Sequence, residues 1–174
     1  ANMSHEIRTP MTAILGYADL MLDPQHTQSD RIDYLQIIRR NGEHLLAIIN
    51  DILDISKIEA GKMTLEKIET NLSQVLEEVS SLMSHRTAAK KLNLNIAWTT
   101  PAPAAVLGDP VRVRQILINL VGNAIKFTEK GGIRVQAAWQ NSEVLINVID
   151  SGIGMTPEQV GRLFNAFTQA DGSM

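Results

Sequence analysis

The strongest constraint on this chain's fold is a pair of apolar stripes at helical spacing within residues 1–61, joined by one short polar turn. Ile7, Met11, Ile14, Leu15, Ala18, Met21 and Leu22 recur at three- and four-residue steps until Asp23-Pro24 interrupts them. After a polar turn over 25–30, Ile32, Leu35, Ile38, Leu45, Ile49, Ile52 and Ile55 line a segment of about 30 residues, roughly 45 Å of helix, with Gly61 as its stop. Two helices cannot enclose a core by themselves. A second copy of the hairpin, completing a dimeric four-helix bundle, is the simplest solution; packing onto the rest of the chain in a monomer is the alternative.

From Lys62 the period changes. Residues 63–68 alternate as a short strand, and Asn71 or Ser73 can cap a helix carrying Leu72, Val75, Leu76, Val79, Leu82 and Met83. Leu94, Ile96 and Trp98 alternate again. A brief strand at 105–107 precedes Asp109-Pro110, a capping residue followed by a first-turn proline, and a helix to about Phe127. Residues 133–139 and 144–149 read as strands around an Asn141-Ser142 hairpin loop; the second is nearly all apolar, as if covered on both sides. Thr156-Pro157-Glu158-Gln159 opens a last helix with a capping box. The order β-α-β-β-α-β-β-α predicts a two-layer α/β sandwich over 62–174, so the whole chain is α+β with a helical hairpin at 1–61.

Charge separates the same two parts: residues 1–61 carry five basic and nine acidic side chains, and 62–174 carry eleven and ten. The net charge of −3 does not suggest a nucleic-acid partner. With no Cys there is neither a disulfide framework nor a thiolate metal site, and no apolar run approaches the ~18 residues of a spanning helix. A cytoplasmic setting without direct membrane contact fits. The abrupt start at Ala1, inside a helical pattern, reads as a piece of a longer parent whose own anchoring is left open.

Three stretches carry chemistry. Arg112, Gln115, Asn119, Asn123 and Lys126 fall on one helix face, opposite Leu117, Leu120, Val121 and Ala124. Two Asn four apart are poor helix formers, and their carbonyl oxygens suit a Mg²⁺ that already holds phosphate oxygens and water; a merely solvated face is the competing reading. Asp150-Ser151-Gly152-Ile153-Gly154 follows a strand, with glycines that allow close backbone approach and an Asp that can accept from an exocyclic amine. It lacks the third glycine of a dinucleotide fingerprint, where Pro157 stands. In Ser4-His5-Glu6-Ile7-Arg8-Thr9-Pro10, His5 lies off the apolar stripe beside Glu6, which can accept one ring proton and leave the other nitrogen nucleophilic; Pro10 should bend the helix. His26, His44 and His85 read as structural or surface residues, and no His pair has metal-ligand spacing.

In this order the stretches resemble the sensor histidine kinases of two-component signalling, particularly the hybrid ones, over essentially the whole chain. Residues 4–10 look like the H box, 54–62 the end of the second dimerisation helix, 119–128 the N box, 150–154 the first glycine box, and Arg162-Leu-Phe164-Asn-Ala-Phe167 the F box. The resemblance implies ATP-dependent phosphorylation of His5 in a homodimer formed through 1–61, with relay to an aspartate on a response-regulator receiver domain. Glu6 would assist proton transfer, and Thr9 would position water when the partner's phosphoaspartate is hydrolysed. Asn123 would ligate Mg²⁺, Asn119 and Lys126 would contact the ATP phosphates, Phe127 would lie against the adenine, Asp150 would accept from its amino group, and Gly152 and Gly154 would shape the loop.

Related ATPases such as DNA gyrase place a Glu four residues before the Mg²⁺-binding Asn to activate water; here that residue is Asn119, which favours a kinase over a hydrolase. The sequence ends at Met174, before the ATP lid and second glycine box of the family, so the chain alone is expected to bind ATP weakly. A catalytically incompetent dimerisation and signal-transmission module is the other class of function, and a gyrase-type ATP hydrolase the third.

Overall fold

The computed structural model describes residues 2–162, which divide into two compact units at Thr64 and Leu65. In the first, α1 (Asn2–Leu22) and α2 (Gln28–Glu59) form a helical hairpin. The polar turn is shorter than the expected 25–30 because Thr27 caps α2: its hydroxyl accepts the Asp30 N–H at 3.2 Å, and the Asp30 carboxylate accepts the Thr27 N–H at 2.8 Å. The Thr27 side chain and then its N–H hold the Asp30 carboxyl below its ordinary pKa. Tyr34 secures the turn, with its hydroxyl 3.2 Å from His26 Nδ1 and its ring 5.4 Å from that of Tyr17. At the other end of α2, Gly61 at φ +64° permits the paired closing bonds of Gly61 N–H to Ile58 and Lys62 N–H to Lys57.

Helix α1 continues through Pro10, whose side chain is among the most buried of the described residues. By contrast, α2 contains no fully buried residue. Its anticipated stripe divides: Ile38, Leu45, Ile52 and Ile55 are half-buried, whereas Ile32, Leu35 and Ile49 are exposed together with Leu46 and Leu53. Leu46 is 62% exposed and Leu53 52%.

The second unit runs β1 (Ile68–Thr70), α3 (Leu72–Ala89), β2 (Asn93–Trp98), β3 (Val106–Gly108), α4 (Pro110–Phe127), β4 (Gly132–Gln140), β5 (Glu143–Asp150) and α5 (Pro157–Arg162). Strand β1 pairs antiparallel with β3, with Ile68 opposite Gly108. In the other sheet β4 is central, parallel to β2 with Leu94 opposite Ile133, and antiparallel to β5 with Val135 opposite Val148. Asn141 and Ser142 both adopt positive φ, as a two-residue hairpin turn of matching twist requires. Val75, Val79 and Met83 of α3, Leu117 and Val121 of α4, and Ile133 and Val135 of β4 form the core.

The structure departs from the sequence-based expectations at three places. Residues 63–67 are not a strand, because the Glu66 N–H donates to Asp109 Oδ2 at 3.3 Å, at the point where β3 gives way to the α4 cap. Strand β5 is covered on one face only: Val144, Ile146 and Val148 are half-buried while Leu145 and Ile149 are exposed. Leu120 is 47% exposed and does not share the buried face of Leu117, Val121 and Ala124.

Candidate active site

Helix α4 begins where its sequence specifies. Asp109 Oδ1 accepts the N–H groups of Val111 and Arg112, both at 3.1 Å, and Pro110 occupies the first turn, where no donor is needed. Those bonds, the Arg112 N–H foremost, hold the Asp109 carboxyl below its ordinary value against the opposing effect of its burial. With Leu117, Val121, Ala124 and Ile125 buried, Asn119, Asn123 and Lys126 come out on an exposed face one turn apart. At the head of that face Arg112 Nη1 donates to Gln115 Oε1 at 2.7 Å. At its foot the Lys126 ammonium lies 4.8 Å from the centre of the half-buried Phe127 ring.

The glycine-rich loop is folded directly onto the end of α4. Asp150 Oδ1 accepts the Gly152 N–H at 2.8 Å, and Ile153 N–H donates to the Phe127 carbonyl at 3.3 Å. A Cβ on Gly152 would meet that carbonyl oxygen at 2.5 Å and Asp150 Oδ1 at 2.8 Å, so only glycine fits. Gly154 has φ +68°, a conformation natural to glycine. Ser151, which the sequence did not single out, anchors the strand end: its hydroxyl accepts the Gly132 N–H and donates to the Lys130 carbonyl, each at 3.1 Å. Beyond the loop, Thr156 and Gln159 exchange both bonds of the expected capping box, at 2.8 and 3.2 Å.

The fold therefore brings 123–128 and 150–154 into contact although about 25 residues separate them. The Asn123 amide fits a hard cation that carries most of its own oxygen ligands, since Mg²⁺ bound with nucleotide phosphates needs only one or two protein ligands. Among the described residues no group of three or more His, Cys, Asp or Glu could hold an ion unaided. The F-box stretch beyond Arg162 lies outside the described residues.

His5, Glu6 and Thr9 lie together on α1, in the other unit, and all three are exposed. The Thr9 hydroxyl donates to the His5 carbonyl at 3.0 Å. Pro10 follows, and its missing N–H removes the bond that would reach the Glu6 carbonyl.

Residues 1–61 match the His Kinase A (phospho-acceptor) domain, and residues 108–174 match the family described as histidine kinase-, DNA gyrase B-, and HSP90-like ATPase. The chain is 47% identical over 179 residues to the signal transduction histidine-protein kinase BarA of Escherichia coli (strain K12), which covers 100% of this chain and 19% of BarA. It thus spans about a fifth of the length of such curated relatives. The structure of full-length ShkA in complex with AMPPNP superimposes with a TM-score of 0.74 at 36% identity, covering 99% of this chain and 37% of that one. Histidine kinase ThkA, solved in complex with the response regulator protein TrrA, gives a TM-score of 0.71 at 27% identity over 97% of this chain and 49% of ThkA. Among the described residues no helix is long and apolar enough to cross a membrane.

Proposed function

The chain belongs to the sensor histidine kinases, and from that premise we propose that it is an ATP-dependent protein-histidine kinase core that phosphorylates His5 and relays the group to an aspartate of a receiver domain. Residues 1–61 serve as the dimerisation and phosphoacceptor hairpin and 62–174 as the ATP-binding domain, in a cytoplasmic setting. The observation that carries the reading is the junction of α4 with the glycine loop, where the Phe127 carbonyl meets Gly152 and Ile153.

At that junction the adenine lies against Phe127 and donates its amine to Asp150 Oδ2, since Oδ1 is engaged by Gly152. Asn119 and Lys126 contact the phosphates, and Asn123 offers its carbonyl to Mg²⁺, which when bound neutralises phosphate charge. In the transfer a neutral ring nitrogen of His5 attacks the γ-phosphorus, the bond to the ADP oxygen breaks, and Glu6 takes the imidazole proton. With Asn119 where a water-activating carboxylate would stand, the imidazole is the better nucleophile. Thr9, while donating to the His5 carbonyl, keeps oxygen lone pairs with which to orient the water that hydrolyses a partner's phosphoaspartate.

The exposed Leu35, Leu46, Ile49 and Leu53 on a helix with no buried residue support a second copy as the hairpin's partner. Relatedness to ThkA, solved with a response regulator protein, supports a receiver domain as the phosphoryl acceptor.

The test is transfer of labelled γ-phosphate from Mg-ATP to the chain, beside His5→Gln. Acid-labile label that disappears in the variant is expected. Label that persists on nitrogen in His5→Gln would remove His5 from the role, and no label on the wild-type chain would leave a docking and dimerisation module.

A further inference from the structure

A helix leaves its last four carbonyls without partners of its own. In α4 every one of them is met, and half are met by a single side chain. Ala124 accepts the Thr128 N–H at 3.1 Å and Phe127 accepts the Ile153 N–H at 3.3 Å. Ile125 and Lys126 both accept from the Lys90 ammonium, at 2.7 and 3.1 Å. Lys90 lies 35 residues from Ile125 in sequence, at the C-cap of α3, where its own N–H closes that helix onto the Thr87 carbonyl. Lys91 then takes φ +56° and turns the chain into β2. The backbone at Lys90 is therefore fixed, and its side chain bridges two helices instead of ranging through solvent.

We propose that Lys90 is a positioning residue for the nucleotide. It holds the last turn of α4 from the side of α3 while the glycine loop holds it through Phe127, so that Lys126 and Phe127 are presented in one orientation. Its charge also offsets the negative end of the α4 dipole, which would otherwise face a polyphosphate unfavourably. Charge-assisted bonds of this kind are stronger than neutral ones, and leaving two helix-end carbonyls without a donor loosens the turn that carries them. The inference rests on the kinase reading above, since it assigns the nucleotide to this end of α4.

The experiment compares the full chain with Lys90→Met, which keeps the aliphatic stem, and Lys90→Arg, which keeps the charge and donors. Calorimetry with Mg-ATP, the ATP dependence of His5 labelling and amide exchange without nucleotide are measured on each. For Lys90→Met the dissociation constant and KM should rise about tenfold, a modest free-energy change, with the labelling rate at saturating ATP near wild type. Lys90→Arg should return both to within about twofold, and the Thr128 and Ile153 amides should lose protection in the Met variant while Val135 keeps it.

Wild-type affinity in a folded Lys90→Met chain would overturn the proposal. So would a lower maximal rate at unchanged KM, or an Arg variant no better than Met. If wild-type chain neither binds ATP nor labels His5, the kinase reading fails and the nucleotide role with it; the exchange result then reports the α4 tether alone, which keeps the two failures apart.

Discussion

The Phe127 carbonyl accepts the backbone N–H of Ile153 at 3.3 Å, joining the last residue of α4 to the glycine loop. Because a Cβ on Gly152 would lie 2.5 Å from the same oxygen, the joint cannot form with any larger residue there unless backbone moves. Gly152→Ala should weaken ATP binding at least tenfold, about 1.4 kcal/mol, while circular dichroism shows the fold retained. Unchanged affinity by calorimetry would contradict this packing argument.

Asp109 makes a pH-dependent contribution whose sign follows from its bonds. Its folded pKa lies below the ordinary 3.8, chiefly through the Arg112 N–H, so the stabilisation is complete above that value and is lost as pH falls through the lower folded one. Asp109→Asn keeps an acceptor for the helix but loses the charge and the acceptor for Glu66. Urea unfolding followed by Trp98 and Trp139 fluorescence should find the variant less stable than wild type above pH 4, with the difference shrinking as the pH is lowered through the acidic range. A constant difference across that range would assign the effect to packing.

Thr128 is fully buried, and its hydroxyl finds no hydrogen-bond partner among the described residues. An unpaired buried hydroxyl costs about 1–3 kcal/mol, so Thr128→Val, which keeps the shape, should leave stability unchanged or raise it by about 1 kcal/mol. A loss of that size in urea unfolding would mean that the hydroxyl is paired in solution.

Leu46 and Leu53 stand out of α2 seven residues apart, 62% and 52% exposed, on the same side as Ile49. Replacing both with Asp should convert the proposed dimer to monomer by light scattering and abolish His5 labelling only if transfer runs between protomers. A double variant that remains dimeric would move the interface to another face of the hairpin.

Features written within four residues were legible in the sequence. The Thr156–Gln159 capping box, Asp109 with Pro110, the Asn141-Ser142 turn and the polar face through Asn119, Asn123 and Lys126 all follow from local spacing, because the groups that satisfy one another are one helical turn or one hairpin loop apart. The family resemblance through the H, N and glycine boxes was readable for the same reason. Tertiary structure alone decided which backbone atoms met across long separations: Phe127 with Ile153, Ser151 with Lys130 and Gly132, and Lys90 with Ile125 and Lys126. A carbonyl exists at every residue and leaves no mark in composition or period, so its partner is known only when the chain is folded. Solvent exposure is also decided there, since Leu120 and Leu145 have the apolar character of core residues and differ from Leu117 only in what the sheet and helices bring against them.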